Sequence, residues 1–158
     1  MKDDALTVSR LCNNIKIWNN VKDIFPHPYG MHDAEIFIDN CLRETPITTF
    51  AILVDSKLVG TVGLQLQKDI YKLSAELGYW IGEPYWGMGI ATEAVKQITD
   101  YGINMLGLIR IYSGVFDFND ASKKVLEKAG YTLECIAKKA IIKNGKVCDG
   151  HRYAYVKY

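Results

Sequence analysis

Two glycines, Gly87 and Gly89, lie in the run Tyr85-Trp86-Gly87-Met88-Gly89-Ile90-Ala91-Thr92-Glu93-Ala94, where strand-like residues give way to helix-like ones. Lacking a Cβ, they let the backbone N–H groups from Gly87 to Thr92 come close to an anion. A helix beginning there adds about half a positive charge at its N-terminus. A pyrophosphate would be stabilised at such a turn without net basic charge on the protein. The dinucleotide fingerprint needs glycine where Thr92 stands, and the P-loop needs a Gly-Lys-Ser/Thr ending that this run lacks. The competing reading is a tight loop without a ligand, the commoner meaning of a bare Gly-x-Gly.

Composition narrows what such a turn can serve. The chain has 158 residues, which fits one domain at the usual size of about 150 residues, so residues 1–158 are read as a single domain. Nineteen Lys plus Arg against eighteen Asp plus Glu leave a net charge of +1. That is too little for a general grip on nucleic acid or an acidic membrane. Cys12, Cys41, Cys135 and Cys148 form no Cys-x-x-Cys pair, and His27, His32 and His151 lie in separate segments, so no metal site is expected. The cysteines read as small core hydrophobes in a reducing compartment. The start, MKDDALTVSRLCNN, is interrupted by charge, and nowhere do about 18 apolar residues run together. A cytoplasmic location is the expectation.

The elements that must position the turn follow from periodicity. Val8, Leu11, Cys12, Ile15 and Trp18 share a helical stripe, which predicts one amphipathic helix from Asp4 to Trp18 with Asp3 or Asp4 as cap. Pro26 and Pro28 break the chain before a second helix carrying Ala34, Phe37, Ile38, Cys41 and Leu42 on one side. Thr48 to Val54 and Leu58 to Gln67 read as a hairpin turning at Asp55-Ser56-Lys57. Leu73 to Gly82 reads as a third strand, with Glu76, Gly78 and Trp80 on one face and Leu77, Tyr79 and Ile81 on the other. A helix of about four turns then runs from Gly89 to the Leu106-Gly107 break. A strand from Ile109 to Phe116, a short helix stopped by Gly130, and two strands around Asn144-Gly145 complete the order.

The stretch from Glu76 to Ala94 resembles motif A of the GNAT superfamily of acetyl-CoA-dependent N-acetyltransferases. Its Gln/Arg-x-x-Gly-x-Gly/Ala pattern is matched by Trp86-Gly87-Met88-Gly89-Ile90-Ala91, with Trp86 in place of Gln or Arg. Gly78-Tyr79-Trp80 and Tyr85 through Ala94 are similar to the branch of ribosomal-protein N-terminal acetyltransferases, where the same departure is usual. Phe25-Pro26-His27-Pro28-Tyr29 and Asp33-Ala34-Glu35 extend the likeness upstream. Asn119-Asp120-Ala121-Ser122, Glu127 to Tyr131 and Lys143-Asn144-Gly145 extend it downstream, so that it covers roughly Val21 to Tyr158. The family's opening strand has no counterpart at the start of this chain.

The resemblance implies an α/β (α+β) fold, a mixed but mostly antiparallel twisted sheet flanked by helices and splayed between the fourth and fifth family strands. It implies acetyl-CoA as co-substrate, contacted by Tyr79, Trp80, Ile81, Trp86, Gly87, Met88, Gly89, Ile90, Ala91, Thr92, Asn119 and Ser122. A free backbone N–H in the splay would stabilise charge on the acetyl oxygen. The acceptor amine must lose a proton before it attacks, and the family's strand carboxylate falls on Glu76, whose alternative reading is an ordinary paired surface residue. Relatives often protonate the leaving thiolate with a Tyr seven residues after the helix Asn. Leu126 stands there, so the role passes to Ser122, otherwise a helix-surface hydroxyl. The expected acceptor is a protein N-terminus or a small-molecule amine, on a monomer or homodimer. The alternatives are a polyamine or aminoglycoside acetyltransferase, or a catalytically silent acyl-CoA-binding or interaction module. Asp33, Glu35 and Asp39 are the carboxylates a polyamine would seek, but their spacing favours a solvated surface.

Overall fold

The computed structural model describes residues 1–158, save the side chain of Lys2. The chain opens with α1 (Ala5–Cys12), a single turn α2 (Ile15–Trp18) and α3 (Met31–Leu42), then β1 (Thr49–Val54), β2 (Lys57–Leu66) and β3 (Ser74–Ile81). There follow α4 (Ile90–Asn104), β4 (Arg110–Phe116), α5 (Asp120–Lys128), β5 (Thr132–Lys143) and β6 (Lys146–Val156). The strands form one sheet in the order β1-β2-β3-β4-β6-β5. All neighbours pair antiparallel except β3 and β4.

The expected continuous first helix is corrected to two pieces. Asn13 leaves the helical region at φ −74°, ψ 62°, and the Asn14 side chain accepts a hydrogen bond from the Lys16 N–H, starting α2 afresh. Asn side chains compete in this way with the helical ladder. The expected aspartate cap is also absent. Asp4 sits at the N-cap of α1 without a side-chain cap bond, and its carboxylate takes the N-terminal ammonium instead.

Strand alternation puts two cores on the two faces of the sheet. On one face Ala75, Leu77 and Ile81 of β3 and Ile111 and Val115 of β4 pack with Val95 and Ile98 of α4 and Leu126 of α5. Ile111 and Leu126 are fully buried, each worth about 1.5–3 kcal/mol. Gly102 lets α4 lie close to the sheet, since a Cβ there would meet Leu64 at 2.8 Å and Ile111 at 2.9 Å. On the other face Trp80 and Leu58 pack against Ala5, Val8 and Cys12 of α1 and Ala34 and Ile38 of α3.

Both hairpins turn as their residues suggest. Asp55 and Ser56 adopt φ of 48° and 62°, while Asn144 and Gly145 adopt 52° and 72°, the left-handed pair that a two-residue hairpin requires. The longer β5–β6 arm carries a bulge between Ala137 and Ile141, where the Asp149 carboxylate accepts the Lys139 N–H at 2.8 Å.

Candidate functional site

The parallel ladder between β3 and β4 holds for only three pairs, Ser74–Arg110, Ala75–Ile111 and Glu76–Tyr112. Beyond Glu76 the strands separate, and the Ser113 hydroxyl donates to the Leu77 carbonyl at 3.1 Å, the last tie before the gap. The expected splay is present, and Glu76 sits at its fork. Two residues further along the diverging arms stand Gly78 and Gly114, where an added Cβ would meet nothing within 4 Å. The fork is thus a window between the two faces of the sheet.

The glycine turn lies at one mouth of this window. Gly87 and Gly89 have φ of 76° and 77°, a conformation that side-chain-bearing residues rarely adopt, and space is open around both. Gly89 is the N-cap of α4, so the first amides of a fifteen-residue helix face that space. The Trp86 indole donates to the Ile81 carbonyl at 2.7 Å, tying the turn to the end of β3. Lys124 and Lys128, one helical turn apart on α5, line the same cavity. An anionic, elongated ligand fits this cradle in shape and in sign.

A cavity of about 1530 Å³ runs from this turn through the fork to the α3 side. It is lined by Glu76, Tyr79, Trp80, Ile81, Trp86, Gly87, Gly89, Ile90, Ala91, Thr92, Asn119 and Ser122. The structure therefore gathers all but one of the expected residues. Met88 differs: its exposed side chain lines a separate recess with Phe50 and Tyr101, leaving only its backbone in the turn. The Trp80 and Ile81 side chains are buried in the two cores; the Trp80 backbone is turned to Thr61 of β2 and the Ile81 carbonyl is taken by Trp86, which leaves the Ile81 N–H toward the gap.

On the α5 side of the fork the Asn119 side chain accepts the Ser122 N–H at 3.1 Å, capping the helix. The Ser122 hydroxyl lies 2.6 Å from the Tyr79 hydroxyl. Burial pushes the Tyr79 phenol up to about 12, the bond to Ser122 opposing this, so it stays protonated at neutral pH. Leu126 is buried in the core. The Tyr79–Ser122 contact joins β3 to the start of α5 across 43 positions, a pairing with no local signature in the sequence.

On the α3 side Glu76 is paired with Lys22, at 2.7 Å between Nζ and Oε1. Lys22 belongs to the segment between α2 and α3, which is held from both sides. The Trp18 indole donates to the Phe25 carbonyl at 3.1 Å. Lys143, at the tip of β5, places its buried ammonium 3.7 Å from the centre of the Trp18 ring and 2.5 Å from the Asp23 carboxylate. Asn144 donates to Asn19 at 2.8 Å. Glu44 lines this arm too, accepting the N–H groups of Thr48 and Thr49 at 2.9 and 2.8 Å and the Thr49 hydroxyl at 2.6 Å. These bonds outweigh burial and hold its carboxyl below the ordinary range. Of Asp33, Glu35 and Asp39, Asp33 alone borders the cavity.

Among the described residues no cluster of His, Cys, Asp and Glu could hold a metal ion, and no helix is long and apolar enough to cross a membrane.

The family model described as Acetyltransferase (GNAT) domain matches residues 1–132. The chain is 35% identical over 143 residues to the uncharacterized N-acetyltransferase YoaA of Bacillus subtilis, covering 82% of this chain and 78% of that protein. It is 26% identical over 134 residues to the spermidine N(1)-acetyltransferase of Escherichia coli, covering 84% of this chain and 70% of that one. Among solved structures, RimL, a ribosomal L7/L12 alpha-N-protein acetyltransferase in complex with coenzyme A, superposes with a TM-score of 0.88. That superposition covers 99% of this chain and 90% of the other at 18% identity, a likeness of fold.

Proposed function

The chain belongs to the GNAT family of acetyltransferases, enzymes that move an acetyl group from acetyl-CoA to an amine, and from that premise we propose how its residues divide the work. The observation that carries the reading is the fork itself. An anion cradle, Gly87 to Thr92, lies at one mouth of the window between Gly78 and Gly114, and the carboxylate Glu76 stands at its apex on the face toward α3.

The cradle and the α4 N-terminus bind the pyrophosphate, with Lys124 and Lys128 nearby as countercharge. The Tyr79 backbone and the Ile81 N–H, which face the gap on the β4 side, hydrogen-bond the pantetheine arm as an added strand would. Asn119 shapes the entry of the arm by fixing the start of α5. Glu76 accepts the proton of the incoming ammonium, directly or through water. Ser122, backed by the Tyr79 phenol, donates a hydrogen bond to the departing sulfur. Bound acetyl-CoA supplies the activated acyl carbon.

The favoured acceptor is the primary amine of a protein N-terminus, in keeping with the branch that the motifs resemble. A second reading, a polyamine, draws support from Asp33, Glu44 and Glu76 bordering one cavity and from the relative named for spermidine. Residues 1–158 act in this scheme as one domain. Thiol release from acetyl-CoA, measured with a peptide N-terminus, spermidine and an aminoglycoside, tests the scheme. Turnover with one of them, and its loss in Gly89→Val, is expected. Saturable acetyl-CoA binding with no thiol release from any amine would make the protein a silent acyl-CoA-binding module.

A further inference from the structure

The Lys22 ammonium, bonded to Glu76 at 2.7 Å, stands where an acceptor amine must lose its proton. Glu76 is the last paired residue before the strands part, and it shares a sheet face with Gly78, whose missing side chain leaves the window open. Lys22 reaches that point from a segment that cannot swing freely. Its neighbour Asp23 is bonded to the buried Lys143, and Asn19 to Asn144, so the β5–β6 tip holds this wall over the fork. An amine tethered in place beside its base reacts far faster than one that must be gathered from solution, since well-oriented intramolecular reactions reach effective molarities of about 10⁵–10⁸ M.

We propose that Lys22 is an intramolecular acetyl acceptor, so that the protein acetylates its own Lys22 Nζ through Glu76 when no external amine fills the site. The inference rests on the assignment of Glu76 and the Gly87–Thr92 turn to acetyl transfer. In the step, the Lys22 nitrogen gives its first proton to Glu76, which passes it to solvent. The nitrogen lone pair forms the new C–N bond to the acetyl carbon, and the C–S bond breaks with its electron pair left on sulfur. The second nitrogen proton completes the coenzyme A thiol. The amide product carries no charge, so the ion pair to Glu76 is lost. Lys22 is accessible, with 68% of its side chain exposed, whereas Lys143, the other lysine of this wall, is 3% exposed and engaged.

The experiment is incubation of the purified protein with acetyl-CoA and no added amine, followed by intact mass and peptide mapping across a dilution series of the protein. One acetyl group on Lys22 is expected, at a fractional rate independent of protein concentration. The rate should fall at least about 10²-fold in Glu76→Gln and be lost in Gly89→Val, with Lys22→Arg carrying no acetyl at that position. Acetyl groups scattered over surface lysines at rates that Gly89→Val leaves unchanged would overturn the proposal, as spontaneous chemistry. A rate proportional to protein concentration would overturn it as intermolecular transfer. An unmodified Lys22 in a protein that still turns over an external amine removes this inference and leaves the functional assignment standing, whereas absence of both reactions removes both.

Discussion

The hydroxyls of Tyr79 and Ser122 lie 2.6 Å apart, one from a strand and one from a helix start, on the α5 side of the forked sheet. A serine hydroxyl alone is a weak acid. Joined to a phenol that burial keeps protonated, it becomes one end of a two-membered donor chain, which the proposed scheme directs at the departing sulfur.

Ser122→Ala and Tyr79→Phe should each lower kcat by about 5- to 150-fold, the cost of about 1–3 kcal/mol of transition-state stabilisation. Because the two act as one chain, the double variant should lose much less than the product of the single losses. Steady-state kinetics of the four proteins measures the coupling. With the phenol raised to about 12, its ionisation should leave kcat unaffected through about pH 10. Full additivity would mean that the two hydroxyls serve separately.

Glu76→Gln keeps the shape and removes the base, so kcat should fall by about 10²- to 10⁴-fold while the acetyl-CoA dissociation constant stays nearly constant. Fold stability should change by no more than about 1 kcal/mol, since Lys22, the ion-pair partner, is mostly exposed. Calorimetric titration alongside turnover separates these quantities. A fully active variant would return Glu76 to the role of a paired surface residue.

Gly78→Val distinguishes window from scaffold. The new side chain meets no atom within 4 Å of its Cβ, and valine suits a strand better than glycine, so stability should hold or rise by a few tenths of a kcal/mol. Activity should fall by at least about tenfold because the branched group closes the fork to the reacting amine. Equal losses of stability and rate would instead identify Gly78 as a packing residue.

The glycine turn, the Asn144-Gly145 hairpin and the alternation of β3 were legible because each is local, a matter of a few residues and their allowed dihedral angles. The break at Asn13-Asn14 was missed although it too is local. The apolar stripe runs straight through it, and periodicity is blind to a side chain that captures a backbone N–H. What escaped altogether joins distant residues. Lys22 meets Glu76 across 54 positions, Tyr79 meets Ser122 across 43, and Lys143 meets Asp23 across 120. No periodicity marks them, since folding alone brings them together. Resemblance singles out Glu76, Tyr79 and Ser122, but neither the Tyr79–Ser122 pairing nor Lys22.

Glu44 supplies a test against pH. Its carboxyl is held below the ordinary range in the folded state, burial being outweighed by the bonds from Thr49 and Thr48. A depressed carboxyl stabilises the fold above its unfolded value, and that contribution disappears as pH falls through the folded value. Glu44→Gln should therefore be less stable than the parent near pH 7 and should converge with it in acid. The gap at neutrality should be about 1–2 kcal/mol for weakened charge-assisted hydrogen bonds. Urea unfolding at pH 7 and in acid, below the carboxylate range, measures both, and a gap that persists in acid would assign the effect to packing.

The meeting of Lys143 with Trp18 and Asp23 also fixes an order of events during synthesis. The cation that completes the environment of Trp18 and Asp23 is added 120 positions after Asp23. Contacts so distant along the chain form late, after the loop between them has been organised. The wall over the fork is thus one of the last segments secured, and a chain halted before residue 143 would lack both this clasp and β6, the strand that joins β4 to β5.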